Sequence, residues 1–463
     1  MRIPSSFLPT FRTFLSASLL GLGLISSCLA QTAYTITDLG TLGGAGSVGQ
    51  GINASGQVTG YSDTATGGQH AFLYSGGSMA DLGTLGGASA GQGINASGQV
   101  AGYFYTTSGA SHAFLYSGGR MTDIGTLGGA NSRGLGINNS GQITGYADTG
   151  GGFYHAFLYG GGGMTDLGTL PYDSYSEGFG INNSGQVTGW SLSSLHAFLY
   201  SGGSMADLGT LGGFLSIGVG INASGQVAGY SYTTGNGLHA FLYSGGSMAD
   251  LGTLGGSTSV GLGINTSGQV VGYSFVAGDS AQHAFLYTPS AGMVDLNTLI
   301  PSGSGWTLLA AYGINDAGQI TGYGATLDGS THAFLLSPVV LFSAFAAHLE
   351  IGGRPPTSFE LGGSFTLGAG SDGINPVIEP VTLQLGSFSI TIPRDSFTRT
   401  SNGTFNYEGQ VGGAALEFRI APAAGGFTFT AEGSRIASLP ASNPVTVALT
   451  VGDDTGTTIV VRK

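Results

Sequence analysis

One sentence of sequence recurs along this chain, and the recurrence bounds the fold more tightly than any bulk property. The stretch His70–Gly87 reads HAFLYSGGSMADLGTLGG, and copies of its opening begin at His112, His155, His196, His239, His283 and His332. Two further phrases recur in fixed order with it. One is Gly-x-Gly-Ile-Asn-x-Ser-Gly-Gln, as at Gly91–Gln99, and the other is [Val/Ile]-x-Gly-Tyr, as at Val100–Tyr103. The Asp that opens Asp-Leu-Gly-Thr-Leu falls at Asp38, Asp81, Asp123, Asp166, Asp207, Asp250 and Asp295, at intervals of 41 to 45 residues. A period of that size with short apolar runs indicates propeller blades rather than helical repeats. No segment carries a 3.6-residue apolar period, and Gly interrupts every candidate helix.

Each unit reads as four strands. In the second copy they are A around Gly93–Asn95, B at Gln99–Tyr103, C at His112–Tyr116 and D at Met121–Leu127. Asn-x-Ser-Gly joins A to B, and a Ser-Gly-Gly type turn joins C to D. In HAFLY both faces carry apolar groups, as expected of a sheet packed between two others. Gly-x-Gly-Ile fits crowding of the innermost strands, and the Gly of [Val/Ile]-x-Gly-Tyr is expected to admit the neighbouring blade.

The ends of the repeat region carry the strongest topological signal. Tyr34–Leu42 is a D strand with no A, B or C before it. Gly313–Asp316, Gly318–Tyr323 and His332–Leu336 form an A-B-C set with no D after it. The first completes the last, which leaves no free sheet edge. The expectation is an all-β chain: a seven-bladed β-propeller over 31–338, closed by the N-terminal strand, then a C-terminal antiparallel β-sandwich-like domain over 339–463. In that second region Val381–Ile392, Ala415–Ala421, Phe427–Gly433, Val445–Gly452 and Thr457–Lys463 alternate apolar and polar residues. About eight strands are expected there, as a sandwich or small barrel.

Composition is consistent with a packed, exported protein. Gly accounts for 89 of 463 residues and charged residues for 8%, but the apolar share is 41%, enough for a core. The net charge is −13, and Arg120 and Arg133 are the only Lys or Arg between Tyr34 and Pro338. Nucleic acid is thereby excluded as an expected partner. Residues 1–30 combine Arg2 and Arg12 with an apolar run and small residues, as a secretory signal peptide does. Cleavage after Ala30 is one outcome; the ISSC at Ile25–Cys28 offers a lipid anchor at Cys28 as the other. The mature chain is expected to be extracellular or envelope-anchored, with no transmembrane segment. Cys28 is the sole cysteine, so no disulfide joins two parts of the chain.

The HAF triplet, DLGTLGG and GINxSGQVxGY together resemble the HAF-repeat family of predicted extracellular bacterial proteins. The resemblance covers about Tyr34–Pro338 and departs at Asp295–Trp306, which reads DLNTLIPSGSGW. It implies secretion and a repeat scaffold, and no chemistry.

Seven His and seven Asp suggest a metal or dyad in each blade. The competing reading, a buried His–Asp bond stapling C to D, is preferred, because one residue repeated in every blade serves the blade. Neither metal nor cofactor is expected. The Asn-x-Ser triplets at Asn53, Asn95, Asn138, Asn182, Asn222 and Asn265 read as turns, and no Gly-x-Ser-x-Gly nucleophile motif lies in them. Function is sought where the copies differ. The B–C and D–A loops share one face and carry Phe104, Tyr105, Phe153, Tyr154, Trp190, Tyr232 and Phe275 in the first set. Tyr172, Tyr175, Glu177 and Trp306 fall in the second. Tyr105, Tyr154, Tyr172, Tyr175, Trp190, Tyr232, Phe275 and Trp306 are the expected binding residues, for glycan or a cell-surface protein. The alternative for these aromatics is that they cap blade edges. The expected function is a secreted, non-enzymatic scaffold; a glycan-acting enzyme and a structural envelope protein are the alternatives.

Overall fold

A computed structural model describes residues 33–461, apart from 193, 354, 355, 370, 372, 441 and 442. The expected signal peptide at 1–30, with Cys28, lies outside the described residues. The fold is all-β, built of several sheets. The only helical pieces among the described residues are two three-residue 3-10 turns, Ala277–Asp279 and Leu296–Thr298. No described helix is long and apolar enough to cross a membrane.

Each repeat folds as a four-stranded antiparallel group in the order A-B-C-D. In the second copy the strands are Ser89–Ile94, Val100–Tyr105, Ser111–Ser117 and Arg120–Asp123. Strand D is shorter than the expected Met121–Leu127. It stops at the Asp because that side chain accepts the N–H two residues on, as Asp81 Oδ1 does from Gly83 at 2.7 Å, which turns the chain. Strand A is longer than expected, and in all seven copies it shifts register at the same place, the x of Gly-x-Gly in six of them, as between Gly49 and Gly51 or Gly91 and Gly93, and Tyr312 between Ala311 and Gly313 in the last. That is a β-bulge, which sharpens the local bend.

The glycines on either side of this bulge face different neighbours. A Cβ on Gly49 would strike the Thr321 hydroxyl of the adjacent unit. A Cβ on Gly60, in [Val/Ile]-x-Gly-Tyr, would instead run into the Val48 carbonyl and the Phe72 ring of its own unit. The neighbouring unit does come close to this second glycine, a Cβ on Gly91 lying 3.2 Å from the Gly60 carbonyl, but the side chain it lacks would first collide within its own unit, beside the bulge.

Tyr34–Asp38 pairs antiparallel with Thr331–Pro338, Thr35 opposite Ser337 and Asp38 opposite Phe334. The orphan strand at the start thus lies on the orphan set at the end. Buried asparagines link the units. Asn53 Nδ2 donates to the Asn95 carbonyl, Asn95 to Asn138, Asn138 to Asn182, Asn182 to Asn222, Asn222 to Asn265 and Asn265 to Asn315, all at 3.0–3.2 Å. Asn315 donates back to Asn53 at 3.0 Å, so the relay returns to its start. Each Asn also organises its own turn: Asn53 Oδ1 accepts from Ser55 and Gln57 N–H at 3.0 Å. Buried serines add a second tie. Ser89 Oγ accepts from Ala71 N of the preceding unit and donates to Gly83 O.

The seventh copy replaces that serine tie. Asn297 donates to Leu308 O and accepts from Leu308 N, while Leu296, Leu299 and Ile300 are buried beneath the longer loop.

Residues 339–461 form a five-stranded and a six-stranded sheet. Leu383, Val447 and Leu449 of the first share one core with Leu361, Phe418 and Phe429 of the second. The described strands number eleven rather than about eight. Val381–Ile392 is a hairpin, split by Gly386 at φ +57°, and Ala344–Gly352, Ser358–Thr366 and Phe405–Val411 were not anticipated.

Candidate functional site

The loops sort onto two faces. Leu42, in a D–A connection, bridges Thr64 at the end of a B strand, so the D–A and B–C loops share a face. Gln57 Nε2, in an A–B turn, donates to Ser75 Oγ in a C–D turn at 3.0 Å, on the opposite one. Residues of the C-terminal region touch that second side: Arg394 Nη1 lies 3.4 Å from the Tyr74 hydroxyl, beside Gly77.

The seven His–Asp pairs form, with Nδ1–Oδ2 separations of 2.6–3.0 Å. Contrary to expectation they are not buried. His70 is 26% and Asp81 44% exposed, and only Asp295 is markedly more covered. The reason is position: strand D is the edge of its sheet. Among the described residues no three or more His, Cys, Asp or Glu converge as a metal cage would. The sequon asparagines are buried, and their Nδ2 groups are committed to the relay.

The aromatics expected on the D–A/B–C face, the expected binding residues among them, divide sharply. Phe104 is corrected to a core residue, 3% exposed, because it occupies the inward column held by Ser62, Ser191 and Ser231 in other units. Trp306 is likewise corrected: it packs edge-on to Phe334, 6.4 Å between centroids, against the buried core. Tyr105, Tyr154, Trp190, Tyr232 and Phe275 lie in strands rather than loops, and so does Glu177. Phe275 sits opposite Gln282, two units beyond Trp190, and Tyr232 stacks on Phe214 at 4.5 Å. Tyr172 is fully exposed in its loop at φ +71°.

The remaining aromatics are brought together. Phe153 meets Tyr175 at 5.3 Å, Tyr175 meets Tyr154 at 4.7 Å, and Tyr154 meets Tyr146 at 5.6 Å. The strip reaches Arg133, whose guanidinium lies 4.3 Å above the Tyr103 ring and donates through Nη2 to the Tyr105 hydroxyl at 3.0 Å. Stacking of this kind favours the cation by about 0.5–2 kcal/mol. On the next unit Trp190 stands directly opposite Glu177 across the strand pair, close enough to lower the carboxyl's pKa.

Sequence reasoning missed the tyrosines of [Val/Ile]-x-Gly-Tyr as a set. Burial pushes Tyr146 and Tyr230 up to about 12, and the pKa values of Tyr61, Tyr103 and Tyr273 also rise. Neighbouring phenols add to the rise, Tyr103 and Tyr323 acting on Tyr61, and Tyr273 on Tyr230. These groups therefore sit near one another, unit by unit. Burial also raises the Glu177 carboxyl, and the neighbouring Trp190 and Arg133 oppose that rise. The arrangement offers ring faces, hydroxyls, one guanidinium and one carboxyl. It suits holding a polar ligand with flat apolar faces.

No protein-family model matches the chain, and no curated protein matches it. Among solved structures it is similar to TolB from Acinetobacter baumannii, at 14% identity over 64% of this chain and 65% of that one, TM-score 0.36. It is similar to a puromycin-hydrolyzing peptidase from Mycobacterium tuberculosis, at 10% identity over 69% and 58%, TM-score 0.42. It is also similar to a gluconolactonase from Xanthomonas campestris, at 10% identity over 67% and 96%, TM-score 0.32. The chain thus spans less than two thirds of the first two. The likeness is too loose to transfer activity, ligand or partner, and the expectation of a non-enzyme gains nothing from it.

Proposed function

We propose that this chain is an exported, non-enzymatic binding module of the HAF-repeat kind. In this reading the repeat region is a seven-bladed β-propeller closed by Tyr34–Asp38, and the C-terminal region is a β-sandwich. The Asn relay and the pairing of the two chain ends support the ring. The leader-like residues 1–30 support export, freely or tethered through Cys28.

One observation carries the binding reading: the aromatic strip Phe153–Tyr175–Tyr154–Tyr146 lies on the D–A/B–C side, away from the contact with Arg394. Aromatic rings on a rigid sheet give contact area at low entropic cost. Five other units keep the buried apolar residues Val48, Ala90, Ile217, Val260 and Ala310 where Arg133 and Glu177 stand. A single asymmetric site of this kind suits recognition of one ligand.

The test is binding of the purified protein to an array of bacterial and plant glycans and to whole cells. Binding that falls at least tenfold in Tyr154→Ala and Tyr175→Ala supports the reading. Turnover of any bound glycan, or binding indifferent to both changes, contradicts it.

A further inference from the structure

The column that precedes Gly-x-Gly in strand A is apolar and buried in five units, and holds Arg133 and Glu177 in the two adjacent remaining ones. Two opposite charges side by side on neighbouring sheets would ordinarily pair. Here they do not: within 4.0 Å the charge pairs among the described residues are the seven His–Asp ones, although Arg133 is near enough to lower the Glu177 pKa. The two groups face other neighbours. Tyr103 and Tyr105 hold the guanidinium, and Glu177 lies opposite Trp190 across its strand pair.

Hydrogen-bonding capacity is left over. Arg133 Nε is enclosed and has no partner, so the capacity open to a ligand lies with the guanidinium's Nη groups, of which Nη2 already makes one bond, to the Tyr105 hydroxyl. A buried donor left unmade is costly, and functional sites are where such groups collect. Arg is donor-only, and an ionised Glu is acceptor-only. A ligand bridging them must accept at one point and donate at a nearby one. Neighbouring hydroxyls of a sugar ring do both, and the ring's C–H face suits the Tyr146 and Trp190 rings beside them.

The charge balance narrows the class. Arg133 and Glu177 cancel. Arg120, the other basic residue of the repeat region, lies at a C–D turn on the opposite side. Asp148 acts on Tyr146 together with Arg133 and Glu177, so the immediate surroundings of the site are acidic. A polyanionic glycan would meet net repulsion, and a simple cation would meet Arg133.

We propose that Arg133 and Glu177 form a subsite for an uncharged pyranose of a neutral glycan, its hydroxyls spanning the guanidinium and the carboxyl. This deepens the binding-module reading and rests on it.

The chain has two tryptophans, and Trp306 is packed on Phe334, so Trp190 emission reports on this site. The purified protein is titrated with cellopentaose, maltopentaose, xylopentaose and chitopentaose, and with trigalacturonate and trialanine, by fluorescence and calorimetry. Saturable binding of at least one neutral pentasaccharide is expected, weakened tenfold or more in both Arg133→Gln and Glu177→Gln, with circular dichroism melts showing that both fold. Binding of trigalacturonate or trialanine alone, lost in the same variants, overturns the ligand class and leaves the module reading standing. Pentasaccharide binding unchanged in both variants overturns the subsite only. Silence toward all six probes, and toward the wider array and cells, overturns both.

Discussion

His332 Nδ1 hydrogen-bonds both carboxylate oxygens of Asp38 at 3.0 Å, across 294 residues of sequence. Six other His–Asp pairs are eleven or twelve residues apart, as His70 and Asp81 are. The same local staple therefore joins the two ends of the repeat region, and Asp38 Oδ1 also accepts from Gly40 N at 2.7 Å.

Asp38→Ala removes both bonds at a partly exposed site. A loss of about 1 kcal/mol is expected, since each bond to a group in contact with water contributes little net stability. Urea melts of the variant and of Asp166→Ala, whose pair is local, are expected to show similar losses. A loss confined to Asp166→Ala would count against a native role for the end-to-end pair.

Asn138 is 3% exposed and uses its amide fully: Oδ1 accepts from Ser140 and Gln142 N–H, and Nδ2 donates to Gln142 Oε1 and Asn182 O. Asn138→Ala strands those partners, at a cost of about 2–4 kcal/mol. The exposed Asn139→Ala loses one bond, from Ala96 N, and is expected to cost under about 1 kcal/mol. Equal midpoints for the two variants would contradict the relay's structural importance.

Glu177 carries the clearest pH signature. Burial raises its native pKa above the unfolded value, so the folded state holds the proton more tightly. Stability is therefore lost as pH rises from the ordinary carboxylate range through the raised native value. Glu177→Gln never acquires that charge. Its melting temperature is expected to exceed wild type at pH 7 and to converge with it below pH 4. A variant less stable at pH 7 would mean that Trp190 and Arg133 outweigh the burial.

In the C-terminal region Glu350, Glu360, Glu432, Glu417 and Glu408 stand directly opposite one another across five successive strands, all exposed. Like charges in cross-strand register repel. Glu432→Gln, at the centre, is expected to raise the melting temperature at low salt, and 1 M NaCl to erase the gain. A loss of stability at low salt would show that the row is held by something other than mutual screening.

Much of the architecture was legible because three phrases at a fixed spacing leave few ways to pair strands. Tyr34–Asp38 finding Thr331–Pro338 follows from the phase of the repeat alone. Leu82 and Leu85 continue an apolar pattern past the turn that Asp81 makes, so the pattern alone overextends strand D. The site was legible only in part. Tyr154, Tyr175 and Trp190 were found through differences among loops, but the same criterion drew in Phe104 and Trp306, which point inward. Aligning the units column by column separates them. Phe104 falls in a column of Ser, Ala and Gly that faces the interior, and Arg133 with Glu177 interrupts a column that is otherwise Val, Ala and Ile.

The proposed closure of the repeats into a ring is open to test by one cross-link. Thr35 and Ser337 are opposed in the strand pair that joins the two ends, and the sole natural cysteine, Cys28, lies before it. In a Cys28→Ser background, Thr35→Cys with Ser337→Cys is expected to oxidise to an intramolecular disulfide at micromolar protein concentration, seen by mass spectrometry of tryptic peptides. Peptides that remain reduced, or that link only between molecules, would contradict the ring.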